Sequence, residues 1–170
     1  MKRRAPKASV TRGASFACCH WMSSISRAVR SSVRCCLAAA SRRTTVAVDE
    51  SQVRLGIHVG LHENTDTRYW VVVYAGTDKP VGFASATKLW NDWTARNDWM
   101  LKRLYVDPDH RRRMLGKRLI QIVKTDAKDA DIGEILVHLQ KGNLSGKRFL
   151  EVNHFASDAT KFIMSQSNFN

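Results

Sequence analysis

The feature that most constrains the fold of this chain is an uninterrupted succession of strand, turn, basic loop and helix between residues 99 and 127. A strand candidate over residues 99–106 ends at Asp107-Pro108, where proline cannot donate to a sheet ladder. Arginines follow at 111–113, and apolar residues then recur at helical spacing: Leu119, Ile120, Ile122, Val123 and Ala127. A strand that passes through a short loop into a helix is typical of an α/β fold.

The same junction has the chemistry to hold phosphate. The first amides of a helix lack internal partners and lie at the positive end of the helix dipole. Residues 111–117 lie at this position and carry Arg111, Arg112, Arg113 and Lys117. A solvated or nucleic-acid-facing basic run is the alternative. The turn before the run and the helix after it favour a pyrophosphate site.

The flanking segments complete the pattern of a mixed α/β domain. Residues 53–61 alternate apolar with polar or glycine residues, which predicts a strand. Gly133 is expected to close the helix region, and residues 90–98 read as a loop. The other predicted elements are strands at 69–75, 81–89, 134–140 and 160–165, a hairpin loop at 76–80 and a helix at 143–152.

The first 48 residues differ in composition from the rest of the chain. They hold ten Lys or Arg, no acid and all four cysteines, whereas the whole chain has 28 bases and 15 acids. We therefore divide the chain into a basic Ser/Ala/Arg-rich extension, residues 1–48, and a folded domain, residues 49–170. The extension is expected to be a transit peptide, a disordered tail or a replacement first helix.

Residues 101–119 resemble the acyl-CoA loop of the GNAT superfamily of N-acetyltransferases. The family pattern is Arg or Gln, two residues, Gly, one residue, then Gly or Ala. Arg111 matches its first position and Gly116 its last, while Met114 replaces the middle glycine. The Val-Asp-Pro run before the loop strengthens the match.

Residues 143–155 resemble a second segment of the same family. Asn143, Gly146, Phe149 and Phe155 match its asparagine, small and aromatic positions. Two positions depart from the family: Leu150 replaces a tyrosine and His154 replaces a glycine. The helices that normally lie between the first two strands of the family are not recognisable in the sequence.

The resemblance implies a mixed, mostly antiparallel sheet flanked by helices, with the fourth and fifth strands splayed apart around acetyl-CoA. It implies transfer of an acetyl group to a primary amine by direct attack in a ternary complex. The cofactor-binding residues that it implies are Leu104, Tyr105, Val106, Arg111, Arg112, Arg113, Met114, Leu115, Gly116, Lys117 and Asn143.

The resemblance also frames the search for the proton-transfer groups. The usual acid is absent at Leu150, and Tyr105 is a candidate substitute. Asp98 is the first candidate for the base, with Glu63 and His138 as weaker ones, because Lys102 and Arg103 stand where relatives often carry a carboxylate. Three tryptophans are candidates to line an acceptor pocket, and packing within the hairpin is the alternative. They are Trp90, Trp93 and Trp99.

Two function classes remain open from the sequence. The first is an acetyl-CoA-dependent N-acetyltransferase that acts on an amine-bearing small molecule or protein. The second is a noncatalytic acyltransferase-like module that binds nucleic acid or an acidic protein through residues 1–48. No apolar run approaches the roughly 20 residues of a membrane span. We expect a cytoplasmic protein, or a mitochondrial one if the extension is a transit peptide.

Overall fold

The computed structural model describes residues 9–12, 49–63, 66–74 and 79–158. The chain divides into two compact units, Met1–His138 and Leu139–Asn170. Among the described residues, the first unit contains a five-stranded sheet and two α-helices, and the second contains one α-helix.

The elements follow the chain in this order: β1 (Ser9–Arg12), α1 (Glu50–His62), β2 (Thr67–Tyr74), β3 (Lys79–Asn91), β4 (Arg96–Val106), α2 (Leu115–Asp129), β5 (Ile132–Val137) and α3 (Leu144–Val152). The strands lie side by side in the order β1-β2-β3-β4-β5. The first four pair antiparallel, and β5 pairs parallel with β4 after a crossover through α2. The predicted mixed, mostly antiparallel sheet is confirmed.

Helices α1 and α2 cover opposite faces of the sheet. The indole Nε1 of Trp70 donates to Oδ2 of Asp126 on α2 at 2.7 Å. The hydroxyl of Tyr69, the preceding residue on β2, lies against Gly60 on α1, where an added Cβ would overlap it. Since consecutive strand residues point to opposite faces, these two contacts place one helix on each side.

The core of the first unit lies mainly between the sheet and α2. Trp70 and Trp99 are both buried, and their rings lie 5.4 Å apart between centroids. The apolar stripe of α2 faces them and is fully buried: Leu115, Leu119, Ile120, Val123 and Ala127. No helix in the described part of the chain is long and apolar enough to cross a membrane.

The strand predicted over residues 53–61 is wrong, because this segment is helix α1. The alternating pattern also places Val53, Ile57 and Leu61 four residues apart, which suits one helix face as well. Asp49 caps the helix by accepting hydrogen bonds from the amide and hydroxyl of Ser51, each at 2.8 Å, and these bonds lower the pKa of Asp49. Helix α1 is thus one of the helices that the sequence did not reveal between the first two strands.

Other boundaries also differ from the predictions. The loop predicted at 90–98 is mostly strand, because β3 and β4 continue to a turn at residues 92–95. Gly133 does not close the helix region: α2 ends at Asp129, and Gly133 lies within β5. The strand predicted at 160–165 lies outside the described residues.

Candidate functional site

The pairing of β4 with β5 covers only the first part of β4. Their parallel pairing runs from Asn97, opposite Ile132, to Leu101, opposite Val137. β5 ends at Val137, whereas β4 continues to Val106. The end of β4 therefore has no β5 partner, because β5 ends where the pairing ends, and the splay of the two strands stays a prediction.

The open edge of β4 presents backbone polar groups from alternate residues. The amide of Asp107 donates to the carbonyl of Val81 at 2.8 Å. In an antiparallel pair the hydrogen-bonded residues alternate, so Tyr105 bonds toward β3, opposite Phe83. The amides and carbonyls of Leu104 and Val106 then point away from β3, into the opening.

A β-bulge lies where the opening begins. Ser85 on β3 is opposite Arg103, but the next residue, Ala86, is opposite Leu101, so Lys102 has no residue opposite it on β3. A bulge changes the direction in which neighbouring side chains point, and bulges are frequent beside functional sites. The bulge falls at the residue after the last β4–β5 pair.

A tight 3-10 turn, Pro108–His110, stops β4 and redirects the chain. Oδ1 of Asp107 accepts from the amide of Asp109 at 3.0 Å and lies 3.2 Å from Nδ1 of His110. Proline is tolerated at the start of this turn because its missing N–H would have no intrahelical acceptor there. The Asp-Pro stop predicted from the sequence is confirmed.

Arg111 links the loop to the end of the strand. Its Nε donates to the carbonyl of Val106 at 2.9 Å, and its guanidinium carbon lies 6.0 Å from the ring centroid of Tyr105. The guanidinium therefore stays next to the open edge of β4. Its terminal nitrogens have no hydrogen-bond partner among the described residues.

The N-terminus of α2 has no side-chain cap. Met114 is the N-cap residue, with φ of 63° in the left-handed region, and its side chain accepts no hydrogen bond from the helix. The first intrahelical bond runs from the amide of Arg118 to the carbonyl of Met114, at 3.0 Å. The amides of Leu115, Gly116 and Lys117 thus lack intrahelical acceptors.

The cations around this helix start are exposed. None of them has an ion-pair partner among the described residues. They are Arg111, Arg112, Arg113, Lys117 and Arg118. The uncapped amides, the helix dipole and these charges together make a site with the chemistry for a phosphate or pyrophosphate group.

Asp98 is a buried residue of β4, at 5% exposure. Its Oδ2 accepts from Nδ2 of Asn91 at 2.7 Å, and a Cβ at Gly133 would lie 2.8 Å from its Oδ1. The structure thus places Asp98 between the ends of β3 and β5. It lies four residues before Lys102, where the opening begins, roughly 13 Å along a strand.

A row of three polar side chains crosses the sheet on the α1 face. Ser85 on β3 is directly opposite Tyr69 on β2 and Arg103 on β4, so all three side chains lie on one face. Ser85 is 5% exposed, Tyr69 is half-buried and Arg103 is exposed. Burial raises the pKa of Tyr69, and the positive charge of Arg103 partly opposes that shift. We call these residues the polar row.

Nothing in the local sequence selects Tyr69 or Ser85 as site residues. Both lie within strands whose composition indicates only burial, and their relation to Arg103 depends on strand register. The sequence offered one usable signal, the cationic pair Lys102-Arg103 in an otherwise apolar strand.

Tyr105, the candidate acid, lies on the same face as the polar row. Its ring is half-buried, and the centroids of the Tyr105 and Phe83 rings lie 6.1 Å apart. Residues 103 and 105 are two positions apart on β4, so the side chains of Arg103 and Tyr105 lie on the same face of the sheet. Tyr105 also lies between Leu104 and Val106, the residues of the open edge.

In the second unit, Asn143 is the N-cap of α3. Its Oδ1 accepts from the amide of Gly146 at 3.0 Å and from the hydroxyl of Ser145 at 3.3 Å. A Cβ at Gly146 would lie 2.6 Å from Nδ2 of Asn143, so a side chain there would displace the cap. The predicted helix and its asparagine start are confirmed. Nδ2 of Asn143 has no acceptor within the described residues.

Helix α3 ends in a Schellman motif centred on His154. The amide of His154 donates to the carbonyl of Glu151 at 2.9 Å, and the amide of Phe155 donates to that of Leu150 at 3.0 Å. His154 has φ of 63°, the left-handed conformation that favours glycine. The backbone therefore keeps the geometry of a glycine position at His154, as it does at Met114.

The remaining sequence candidates lie apart from one another. Trp99 is a core residue, which favours packing for this side chain, whereas Trp90 and Trp93 are exposed near the β3–β4 turn, Trp93 at 98%. Glu63 is the exposed C-cap of α1, and His138 is exposed after β5. Within the described ranges, no three His, Cys, Asp or Glu side chains form a group able to hold a metal ion.

Solved structures of acetyltransferases are similar to this chain over nearly its whole length. A possible acetyltransferase from Clostridium difficile 630 has a TM-score of 0.70 and 20% identity, covering 95% of this chain and 99% of its own. An aminoglycoside acetyltransferase from an uncultured soil metagenomic sample, solved with sisomicin, has a TM-score of 0.71 and 14% identity, covering 96% and 97%.

A third similar structure is glucosamine-6-phosphate N-acetyltransferase from Arabidopsis thaliana, with a TM-score of 0.65 and 13% identity, covering 96% of this chain and 99% of its own. At these identities the similarity establishes a shared fold. No curated protein sequence matches the chain.

A family model settles the relationship on sequence. The model for the acetyltransferase (GNAT) family matches residues 35–155, well over half of the chain. The matched range includes the bulged strand, the basic loop and both motif segments. The chain therefore belongs to the GNAT acetyltransferase family.

Proposed function

We propose that this protein is an acetyl-CoA-dependent N-acetyltransferase that moves an acetyl group to a primary amine by direct attack in a ternary complex. One observation carries the proposal: the open edge of β4 leads through Arg111 directly into the uncapped, cation-rich start of α2. A strand edge whose amides and carbonyls face no neighbouring strand suits an amide-containing arm. A helix start suits the phosphates at the end of that arm.

The residues present fit acetyl-CoA in chemistry. Leu104, Tyr105 and Val106 form the strand segment that would hold the pantetheine arm. The pyrophosphate would lie on the loop and helix start, held by Arg111, Arg112, Arg113, Met114, Leu115, Gly116 and Lys117. Asn143, whose Nδ2 has no acceptor within the part of the chain that the structure describes, is the further proposed cofactor-binding residue.

The chemistry requires one base and one acid. Acetyl-CoA supplies a thioester carbonyl; attack by the amine forms a C–N bond, breaks the C–S bond and leaves a thiolate. The amine must lose a proton, and the thiolate must gain one. We propose Tyr105, whose ring lies beside the open edge, as the acid. We propose Asp98 as the base; because it is buried some distance along β4 from the opening, it would act through a chain of waters and not by direct contact with the amine.

The acceptor class is an amine-bearing small molecule or protein. The similar structures include an aminoglycoside acetyltransferase, a glucosamine-6-phosphate N-acetyltransferase and a ribosomal-protein-alanine N-acetyltransferase. Their acceptors share only an amine, so the fold alone does not select among them.

A noncatalytic module is the second candidate, and Leu150 favours it. This position cannot donate a proton, and non-glycine residues occupy two glycine positions, Met114 and His154. In this alternative, residues 1–48 bind nucleic acid or an acidic protein through their ten cations, in the cytoplasm or, after import, in the mitochondrion.

Calorimetric titration of acetyl-CoA into the full chain tests the proposal. We expect saturable binding that Gly116→Glu abolishes, because the substitution adds bulk and negative charge at the phosphate-binding amides. Gly56→Glu is the matched control, since a Cβ at Gly56 meets no atom within 4 Å and the change in net charge is the same. Equal acetyl-CoA affinity in the two variants would show that the loop at residues 111–117 does not bind acetyl-CoA.

A further inference from the structure

We propose that the polar row, Tyr69, Ser85 and Arg103, binds an anionic group of the acceptor amine, either a carboxylate or a phosphate. The inference rests on the proposed acetyltransferase function and names its substrate class. The three side chains lie on one face of adjacent strands, with Ser85 directly opposite both of the others. Together they carry a guanidinium and two hydroxyls on one face of three adjacent strands.

The buried hydroxyl of Ser85 has no hydrogen-bond partner among the described residues. Ser85 is 5% exposed, and no described residue hydrogen-bonds to its side chain. A buried polar group without a partner is costly, and such groups in native proteins call for a ligand, a water or a strain argument. An anionic oxygen held by Arg103 would accept a hydrogen bond from this hydroxyl.

Arg103 and Tyr69 supply the charge and a second donor. Arg103 has no hydrogen bond or ion pair to any described residue, so its planar fork is available for bidentate binding. The phenol of Tyr69 can donate a hydrogen bond, and burial raises its pKa further above neutral pH. Gly60 leaves room for the hydroxyl, since a Cβ there would overlap it.

The polar row lies beside the opening in which the thioester is proposed to sit. Arg103 follows the bulged residue Lys102, directly after β4 loses its β5 partner at Leu101. An anion on Arg103 would place a nearby amine next to the open edge at Leu104. The two cations, Lys102 and Arg103, also repel an acceptor that carries several positive charges.

The test compares paired amines that differ only in the anionic group. Glycine is compared with glycinamide for the carboxylate, and O-phosphoethanolamine with ethanolamine for the phosphate, with rates expressed per unprotonated amine. We expect one anionic member to exceed its neutral partner at least tenfold in kcat/KM. The pair that shows the preference identifies the group.

The variants assign the preference to the polar row. Arg103→Gln should reduce it at least tenfold, mainly through KM, while kcat/KM for the neutral amines changes less than threefold. Ser85→Ala should reduce it by a smaller factor. Arg68→Gln is the matched control, because Arg68 lies over the Trp99 ring, 5.2 Å from its centroid, and not in the polar row.

Two measurements keep the inference distinct from the proposed function. Calorimetry with acetyl-CoA is run on the same preparations. If the wild-type protein does not bind acetyl-CoA, both the acetyltransferase proposal and this inference are wrong. If acetyl-CoA binds but neither anionic amine is preferred, or the preference survives Arg103→Gln, the inference alone is wrong. Absence of turnover with all four amines counts as absence of preference.

Discussion

Nε of Arg111 donates to the main-chain carbonyl of Val106 at 2.9 Å, and this bond joins the two parts of the proposed cofactor site. Val106 is the last residue of β4, and Arg111 opens the loop that leads to α2. The bond therefore sets the distance between the strand edge and the helix start. A lysine in place of Arg111 keeps the charge but cannot make the same bond.

Arg111→Lys should weaken acetyl-CoA binding without unfolding the protein. A hydrogen bond from a charged donor in an exposed site contributes about 1–2 kcal/mol, which corresponds to about a 5- to 30-fold higher Kd. Calorimetry measures the Kd, and thermal melting checks the fold. Arg118→Lys is the control, since it keeps the charge at the same helix start. A Kd for Arg111→Lys within twofold of wild type would contradict a positioning role for this bond.

Met114→Gly should stabilise the protein. A left-handed conformation costs a non-glycine residue about 1–2 kcal/mol, and glycine avoids that cost but loses about 0.5–1 kcal/mol through chain entropy. We expect a net gain of roughly 0.5–1 kcal/mol in the free energy of unfolding, measured by urea denaturation. Met114→Ala retains a Cβ and should give no gain. Equal effects of glycine and alanine would show that φ at Met114 carries no strain.

The local parts of the site could be predicted from the sequence, and the parts that depend on register could not. The Asp-Pro stop, the basic loop and the apolar stripe of α2 each depend on neighbouring residues, so their order indicated a strand-loop-helix unit. Residues 53–61 were misassigned because alternation at every second position also contains pairs four apart, such as Val53 and Ile57. The bulge at Lys102 and the pairing of Ser85 with Arg103 have no local signature.

Residues 1–48 hold few large apolar residues, so we predict that they are dispensable for folding, and a chain beginning at residue 49 tests this. We expect it to fold cooperatively, with a lower pI because ten cations are removed, and with a lower Tm because β2 loses its β1 partner at Trp70–Val73. A chain beginning at Ser9 is the control, since it loses Lys2, Arg3, Arg4 and Lys7 but keeps β1. Circular dichroism and thermal melting provide the readout. An unfolded shorter chain would show that the segment is part of the domain.

The assignment of Asp98 as the base predicts that Asp98→Asn loses activity but not stability. The amide oxygen of asparagine can accept the same hydrogen bond from Asn91, so the Tm should change little. Loss of a general base lowers kcat by about 100- to 10,000-fold. Asp92→Asn, on the exposed turn, is the matched control. If Asp98→Asn retains kcat within threefold, Asp98 has only the structural contact with Asn91.

Leu150→Tyr should raise the rate of acetyl transfer. Leu150 lies on α3 seven residues after Asn143, almost two helical turns, so the two positions face a similar side of the helix. The family that the chain resembles carries its acid at this position, and a phenol there would protonate the departing thiolate. General acid catalysis typically contributes about 100- to 10,000-fold. Leu150→Phe is the matched control, because it adds the ring without the hydroxyl. Steady-state turnover with the four paired amines measures the effect. A Leu150→Tyr variant no faster than Leu150→Phe would show that position 150 does not reach the leaving group, whereas acetyl-CoA binding without turnover in either variant would favour the noncatalytic module.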